Sequence, residues 1–222
     1  MTANKSGSEI QLERILDIAW SEGKKLNFDK MSDALNRALQ IKNNPIVRER
    51  VRNISFQSYK LAMMMEQAYM YEAAYIGDFE KYAESVNKLY DYANEIDSPE
   101  IVIQMHEELE PAYMQGMLAC IEYARDASTQ GNADMIEEQF SFASSFAKEA
   151  GQNIDELLIP IEHETYLRGY ENALAKATKL FYSRKGKEFH MTLHQAELCA
   201  KKIGINPELD LKPLSTIYNK KK

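Results

Sequence analysis

Three side chains near the C-terminus could bind a metal ion. His190, His194 and Glu197 are separated by four and three residues, so on a helix they share one face. Two imidazoles and a carboxylate are ligands that divalent transition metals accept. The same spacing also arises in polar helices that only face solvent. A metal site and a solvated stripe are therefore the two alternatives for this segment.

The residues just before this triple suggest another chemistry. In the stretch RKGKEFH, Arg184 and His190 resemble the Arg-x(4 to 6)-His motif of the HEPN family, all-helical domains that often cleave RNA without a metal ion. The resemblance implies that the histidine acts as general acid or base and that the arginine stabilises the phosphate transition state. Lys179, Lys185 and Lys187 add positive charge that suits a phosphate backbone. An RNA-cleaving or RNA-binding protein is thus an alternative function.

Other catalytic signatures are missing from the sequence. A di-iron bundle needs Glu-x-x-His motifs, and none of the four histidines has a glutamate three residues before it. The chain contains no glycine-rich phosphate loop, no HExxH, no GxSxG and no cysteine pair at zinc spacing. We expect no cofactor and favour a protein without catalysis of its own.

A recurring line of aromatic and small residues indicates how the chain is built. In YMQGMLACIEYARDASTQG these residues follow steps of three and four, which places them along one side of a helix. We interpret the line as a packing seam, because small side chains let a neighbouring backbone approach closely. The line contains Tyr113, Gly116, Cys120, Tyr123 and Ala127, its earlier copy contains Tyr59, Ala62, Glu66, Tyr69 and Ala73, and its later copy contains Tyr166, Gly169, Ala173 and Ala177.

Glycine and proline recur with nearly the same period, about 54 residues along the chain. The glycines are Gly23, Gly77, Gly131 and, slightly late, Gly186, and the prolines are Pro45, Pro99 and Pro207. Asn or Ser followed by proline favours a helix start, and glycine suits the tight link after a helix. Each repeat unit is therefore predicted to be a cap, a long helix, a glycine turn and a shorter helix.

The predicted fold is all-α, with four degenerate helix-turn-helix units of about 54 residues packed as an α-α solenoid or helical array. Pro111 and Pro160 interrupt the long helices and predict a kink or a separate short helix, so each unit has either two helices or three. The expected boundaries are 1–8 for a disordered leader, 9–44, 45–98, 99–152 and 153–206 for the units within a single domain 9–218, 207–218 for a C-terminal cap and 219–222 for a basic tail.

Composition agrees with a soluble helical protein. The 222 residues are 45% hydrophobic and 27% charged, and no extended alternating Val/Ile/Thr run predicts a strand. No apolar run approaches the roughly 18 residues that span a bilayer, and the N-terminus lacks the apolar core of a signal peptide. We therefore expect a cytoplasmic protein. Cys120 and Cys199 fall at seam-like positions and are expected to be reduced packing residues.

A helix pair with glycine at the inner turn, small residues in both helices and proline after the second helix resembles the tetratricopeptide (TPR) class of helical repeats. TPR units have about 34 residues, so the longer period departs from that pattern by several helical turns. The resemblance implies a curved array whose concave side binds another protein. It transfers no binding residue, because the contact positions cannot be aligned across the longer unit.

Charge is distributed unevenly along the chain. Residues 1–60 contain 11 basic and 7 acidic side chains, residues 61–165 contain 4 and 22, and residues 166–222 contain 12 and 5. The acidic middle is either a solvated surface or a face that attracts a basic partner or another copy of the chain. We expect another protein or peptide of basic character as partner, self-association as an alternative, and neither nucleic acid nor a membrane.

A second line of residues, opposite the seam, is the predicted binding surface. Met and Tyr suit an adaptable groove for a peptide or a partner helix, although either residue more often packs in a core. A helix that is apolar on both sides is sandwiched between neighbours or presents one side to a ligand. The predicted binding residues are Met64, Tyr71, Tyr75, Met114, Leu118 and Arg125. The resulting functional hypothesis is an interaction or scaffold module.

Overall fold

The computed structural model describes residues 7–96, 99–206, 211–212 and 215–216. Helices account for nearly all of these residues and none of them forms a strand, which confirms the all-α prediction. None of the described helices combines the length and apolar character needed to cross a membrane. The helices are α1 (Gly7–Lys24), α2 (Phe28–Ile41), α3 (Pro45–Tyr75), α4 (Phe79–Ile96), α5 (Pro99–Gln130), α6 (Ala133–Glu149), α7 (Ile154–Leu157), α8 (Ile159–Ser183) and α9 (Gly186–Lys202).

Helix boundaries differ in places from the sequence expectation. Helix α1 begins at Gly7, inside the expected leader, and residues 1–6 of that leader lie outside the described residues. Of the expected C-terminal cap and tail, only residues 211–212 and 215–216 are described. Helix α5 continues through Pro111 rather than ending there. Pro160 instead lies in the first turn of α8, where proline costs no hydrogen bond, and the short α7 precedes it.

The same turn follows α1, α3, α5 and α8. In each turn one residue has a positive φ, its amide donates to the carbonyl three residues earlier, and the next amide donates to the carbonyl five residues before itself. These N···O distances lie between 2.9 and 3.4 Å, and the pattern is that of a Schellman motif, which satisfies the last carbonyls of a helix. The positive-φ residues are Leu26 (59°), Gly77 (68°), Gly131 (65°) and Arg184 (58°), and Gly151 and Gly204 end α6 and α9 in the same way.

Two of these turns lack the expected glycine. Gly23 lies inside α1, and Gly186 is the first residue of α9. The left-handed positions are taken by Leu26 and Arg184, although a residue with a Cβ pays roughly 1–2 kcal/mol there. Gly23 serves close packing instead, because a Cβ at this position would approach the Oγ atom of Ser58 to 2.0 Å.

The chain divides into two compact lobes. The first lobe comprises residues 1–71 and 81–107, and the second comprises residues 72–80 and 108–222. The core of the first lobe contains Leu12, Ile15, Leu16 and Ala19 from α1, Met31, Ala34, Leu35 and Ala38 from α2, and Val47 from α3. Beside this core, Phe28 stacks on Tyr59 with 4.4 Å between ring centroids.

Small residues bring the helices of the second lobe close together. A Cβ at Gly116 would lie 2.4 Å from the Phe146 ring, and one at Gly169 would lie 2.8 Å from the Ile136 side chain. The predicted seam is therefore buried at its small members in this lobe. Its aromatic members behave differently from one another, because Tyr166 is buried whereas 43% of Tyr123 is exposed.

Candidate functional site

The C-terminal half of α3 in the first lobe carries large exposed apolar side chains. Met64 is 59% exposed, and Met65, Tyr69 and Tyr71 are also exposed. No residue of 67–71 is charged, and the one charged side chain of 61–71, Glu66, is buried. This part of the helix therefore presents to solvent a surface that is apolar apart from tyrosine hydroxyls, one glutamine and backbone.

A cavity of about 180 Å³ adjoins this surface within the first lobe. Its walls come from one side of α3 and from the first turns of α5. Met63 and Met105 are buried, whereas Met64 is exposed at the opening. The lining residues are Lys60, Met63, Met64, Gln67, Ile101, Gln104 and Met105. The cavity thus combines a largely apolar floor with two amides and one ammonium group.

The charged groups near the cavity are arranged unequally on its two walls. On α3, Glu66 is only 8% exposed, and its Oε1 lies 3.8 Å from Nζ of Lys88. On α5, Glu100 and Glu107 are exposed, four residues before and three residues after Gln104, so they share its side of the helix. Residues 99–107 contain no lysine or arginine. The exposed side of α5 next to the cavity is therefore acidic, whereas the one charged residue of the described lining is Lys60.

The six predicted binding residues fall into two sets. Met64 and Tyr71 belong to the first lobe, and both are exposed. The other four belong to the second lobe: Tyr75 and Leu118 are exposed, whereas Met114 and Arg125 are half-buried. Arg125 donates to Glu122 with 2.6 Å between Nη1 and Oε1. Among the six, only Met64 lines the cavity.

A second cavity, of about 370 Å³, lies in the second lobe and contains all three residues of the predicted metal triple. Its described lining is His190, Leu193, His194, Glu197, Leu211, Lys212 and Ser215. Nδ1 of His194 is 3.8 Å from Oε2 of Glu197. Within the described ranges, no three His, Cys, Asp or Glu side chains are grouped so as to hold a metal ion. The three side chains of the triple are thus not grouped for a metal ion in this structure, and a metal site stays only an alternative to the solvated stripe.

The structure places Arg184 and His190 in different settings. Arg184 is exposed at the left-handed end of α8, while His190 lies in α9 with its ring centroid 5.4 Å from that of Phe189. Arg184 is not among the described residues that line the cavity beside His190. RNA cleavage by this pair therefore stays an alternative prediction.

Both thiols are buried. Sγ of Cys120 donates to the carbonyl of Gly77 over 3.3 Å, and burial raises the pKa of Cys120 to about 12. Burial likewise raises the pKa of Cys199 to about 11. A thiol is nucleophilic only as the thiolate, so neither cysteine is activated for chemistry.

Sequence reasoning found Met64 but missed most of the cavity. Its remaining lining residues come from two helices whose relative placement no periodicity reveals. Ile101 and Met105 are spaced four residues apart in IVIQM, and this spacing was the one local signal of an inward-facing side of α5.

Comparison with known proteins adds no family. No protein-family model matches the chain, and no curated protein matches it significantly.

Proposed function

We propose that this protein is an interaction module that binds another protein or a peptide through exposed methionine and tyrosine side chains. The observation that carries the proposal is the exposed stretch 64–71 of α3, where Met64, Met65, Tyr69 and Tyr71 face solvent with no exposed charged side chain between them. Exposed apolar side chains that lie next to one another are typical of interaction sites.

Leaving this apolar surface in water costs free energy that a bound partner would recover. Covering apolar area stabilises a complex by about 25 cal/mol per Å², although only part of that appears as affinity. Methionine adapts its shape to the partner, and tyrosine combines a rigid ring with a hydroxyl that can form a hydrogen bond. A surface with both residue types therefore suits a partner helix or an extended peptide.

The proposal includes the architecture of a helical array with four helix pairs. It is supported by the turn that recurs after α1, α3, α5 and α8, at nearly even spacing along the chain: Leu26, Gly77, Gly131 and Arg184. In such arrays each pair buries one side against its neighbours and leaves another side for partners. The proposed similarity to TPR proteins concerns this arrangement alone and transfers no contact residue.

The test is affinity capture from an extract of the native cells, with nuclease treatment, followed by identification and purification of the captured protein. Binding of the purified partner is then measured for wild type, Tyr71→Ser with Tyr75→Ser, and His190→Ala. The interaction module predicts at least a tenfold loss for the tyrosine variant and no change for His190→Ala.

Binding that depends on His190 and not on the two tyrosines would contradict the proposal. If nuclease removes everything that was captured, and if His190→Ala and Arg184→Ala abolish binding to the released RNA, the protein acts on RNA through its C-terminal region. Circular dichroism of each variant verifies that lost binding does not reflect lost folding.

A further inference from the structure

We propose that the cavity between α3 and α5 in the first lobe is the docking site for a basic amphipathic helix. The cavity is the one lined by Lys60, Met63, Met64, Gln67, Ile101, Gln104 and Met105. This inference rests on the proposed function, because it names the part of the surface that is used and the chemistry of the partner.

The size of the cavity favours a single anchoring side chain. Its volume of about 180 Å³ is below the roughly 300–1,000 Å³ of ordinary small-molecule pockets. Interfaces concentrate their binding energy in a few large side chains that enter desolvated pockets. A leucine, phenylalanine or tryptophan of a partner helix can enter this cavity and contact Met63 and Met105, which are buried.

The shape of the surface favours a helix over an extended strand. Lys60, Met64, Gln67 and Tyr71 follow one another at steps of four, three and four, and so form one ridge of α3. From Lys60 to Tyr71 the helix rises about 16 Å, which corresponds to three turns of a partner helix lying alongside. Amphipathic helices dock in this way, with anchors spaced three, four and seven residues apart.

Charge determines which kind of amphipathic helix fits. In the first lobe, residues 61–71 and 81–107 contain seven acidic and two basic side chains. Nζ of Lys88, one of those two, lies 2.8 Å from Oε1 of Glu84 and 3.8 Å from Oε1 of Glu66. The one charged residue of the described cavity lining is Lys60, and the exposed Glu107 of α5 comes three residues after the lining residue Gln104. Lysine or arginine on the flank of a partner helix would face this acidic side of α5.

Lys60 determines the orientation in which a basic partner helix can bind. It lines the end of the cavity that lies toward the N-terminus of α3, away from Tyr71. A partner helix with a basic residue at that end would be repelled, whereas an acidic or neutral residue there would be accepted. The basic side chains of the partner are therefore expected along its α5-facing flank.

The probes are three fluorescent peptides, each long enough for five helical turns. The first is an amphipathic helix with leucine and tryptophan on one side and lysine on the other, the second has glutamate in place of every lysine, and the third is the first in scrambled order. Fluorescence anisotropy is measured with the full chain at low and moderate salt. The basic amphipathic peptide should bind at least tenfold more tightly than either of the others, and its affinity should fall as salt is raised.

Matched variants locate the site. Met64→Lys introduces a positive charge at the cavity opening and should lower the affinity for the basic peptide at least tenfold. Ile18→Lys is its control, because Ile18 is an apolar side chain of α1 in the same lobe with a similar exposure of 52%, and it should change affinity less than twofold. Glu107→Lys should weaken binding several-fold and reduce its salt dependence. Methionine methyl NMR should show the largest shifts at Met63, Met64 and Met105.

Several results would overturn the inference. Equal binding of the acidic peptide would exclude the charge argument, and equal binding of the scrambled peptide would exclude a shaped groove. Equal loss in Ile18→Lys and Met64→Lys would place the site elsewhere. If a native partner is captured in a Tyr71-dependent manner while the basic peptide shows no preference, this inference fails and the proposed function stands; if neither binds, both fail.

Discussion

Residues 64–71 of α3 and 118–125 of α5 occupy equivalent positions of the proposed sequence repeat, but they present different surfaces to solvent. Met63 and Met117 are both buried, and the equivalent Met64 and Leu118 are both exposed. At two other positions α3 has uncharged side chains where α5 has charged ones. Ala68 corresponds to Glu122, and Tyr71 corresponds to Arg125.

The two segments therefore differ in the solvation of their exposed side chains. In α5, Glu122 and Arg125 form an ion pair with 2.6 Å between Oε1 and Nη1, and this pair keeps the surface polar. The α3 segment has no such pair among its exposed residues 64–71, and its apolar side chains remain in water. We infer that packing constrains the positions that are buried in both helices, while the exposed positions are free to differ in polarity.

The largest effect is expected beneath the surface, where Ala62 of α3 corresponds to Gly116 of α5. Gly116→Val should lower the free energy of unfolding by about 1–3 kcal/mol, because its side chain would overlap the Phe146 ring. Ala62→Gly should cost about 1 kcal/mol, mainly through helix propensity. Urea unfolding measures both. A stabilised Gly116→Val variant would contradict the close approach of α5 and α6.

Exchanging the surfaces is expected to act on binding rather than stability. The double variant Ala68→Glu with Tyr71→Arg gives these positions of α3 the residues found in α5. It should lower the affinity for the captured partner about tenfold, which is about 1.4 kcal/mol of binding free energy. The free energy of unfolding should change by no more than about 0.5 kcal/mol for each exposed substitution. Calorimetric titration and urea unfolding provide the two measurements. Undiminished binding would show that the apolar character of α3 is not used.

A pH-dependent stability is expected from Cys120 of α5, whose counterpart in α3 in the proposed repeat is Glu66. Burial raises the pKa of Cys120 to about 12, so the folded state keeps the neutral thiol. The pKa of an unfolded thiol is about 8.5, and stability from this group is therefore complete below that pH and declines as pH rises toward the folded-state value. Urea unfolding at pH 7.5 and 9.5 should show a smaller decline for Cys120→Ala than for wild type. An identical decline would contradict the burial of this thiol.

The smallest effect is expected at Tyr69 and Tyr123, which are 52% and 43% exposed. Tyr69→Ser and Tyr123→Ser should each change the free energy of unfolding by less than about 0.5 kcal/mol, because little packing is lost at an exposed site. The same substitution at a buried seam position would instead lower the free energy of unfolding several times more. Thermal unfolding distinguishes the two cases.

The buried side of each helix was predictable from the sequence, because a helix places every third or fourth residue on one side. The small seam residues Ala62, Cys120 and Ala173 are indeed buried. The tyrosines were not predictable in the same way, since an amphipathic ring of this size fits both a core and a wet surface. Tyr166 is buried and Tyr69 is exposed, although small residues flank both at similar helical spacing.

The turns and the cavity are two further features that the sequence alone does not predict. Glycine indicates either a left-handed residue or a close approach of helices, and Gly77 has the first role while Gly23 has the second. The sequence does not distinguish these roles. The cavity depends on how the side of α3 with Met63 faces the side of α5 with Met105. That relation between distant segments is absent from any local pattern.

Buried thiols have a practical consequence for experiments on this protein. Cys120 and Cys199 are its only cysteines, and both are buried with a raised pKa. At neutral pH they are protonated and shielded from maleimide reagents, so the native chain already serves as a background for site-specific labelling. A cysteine introduced at Met64 or at Leu118 would be the one reactive thiol, and a dye attached there would report on each surface separately.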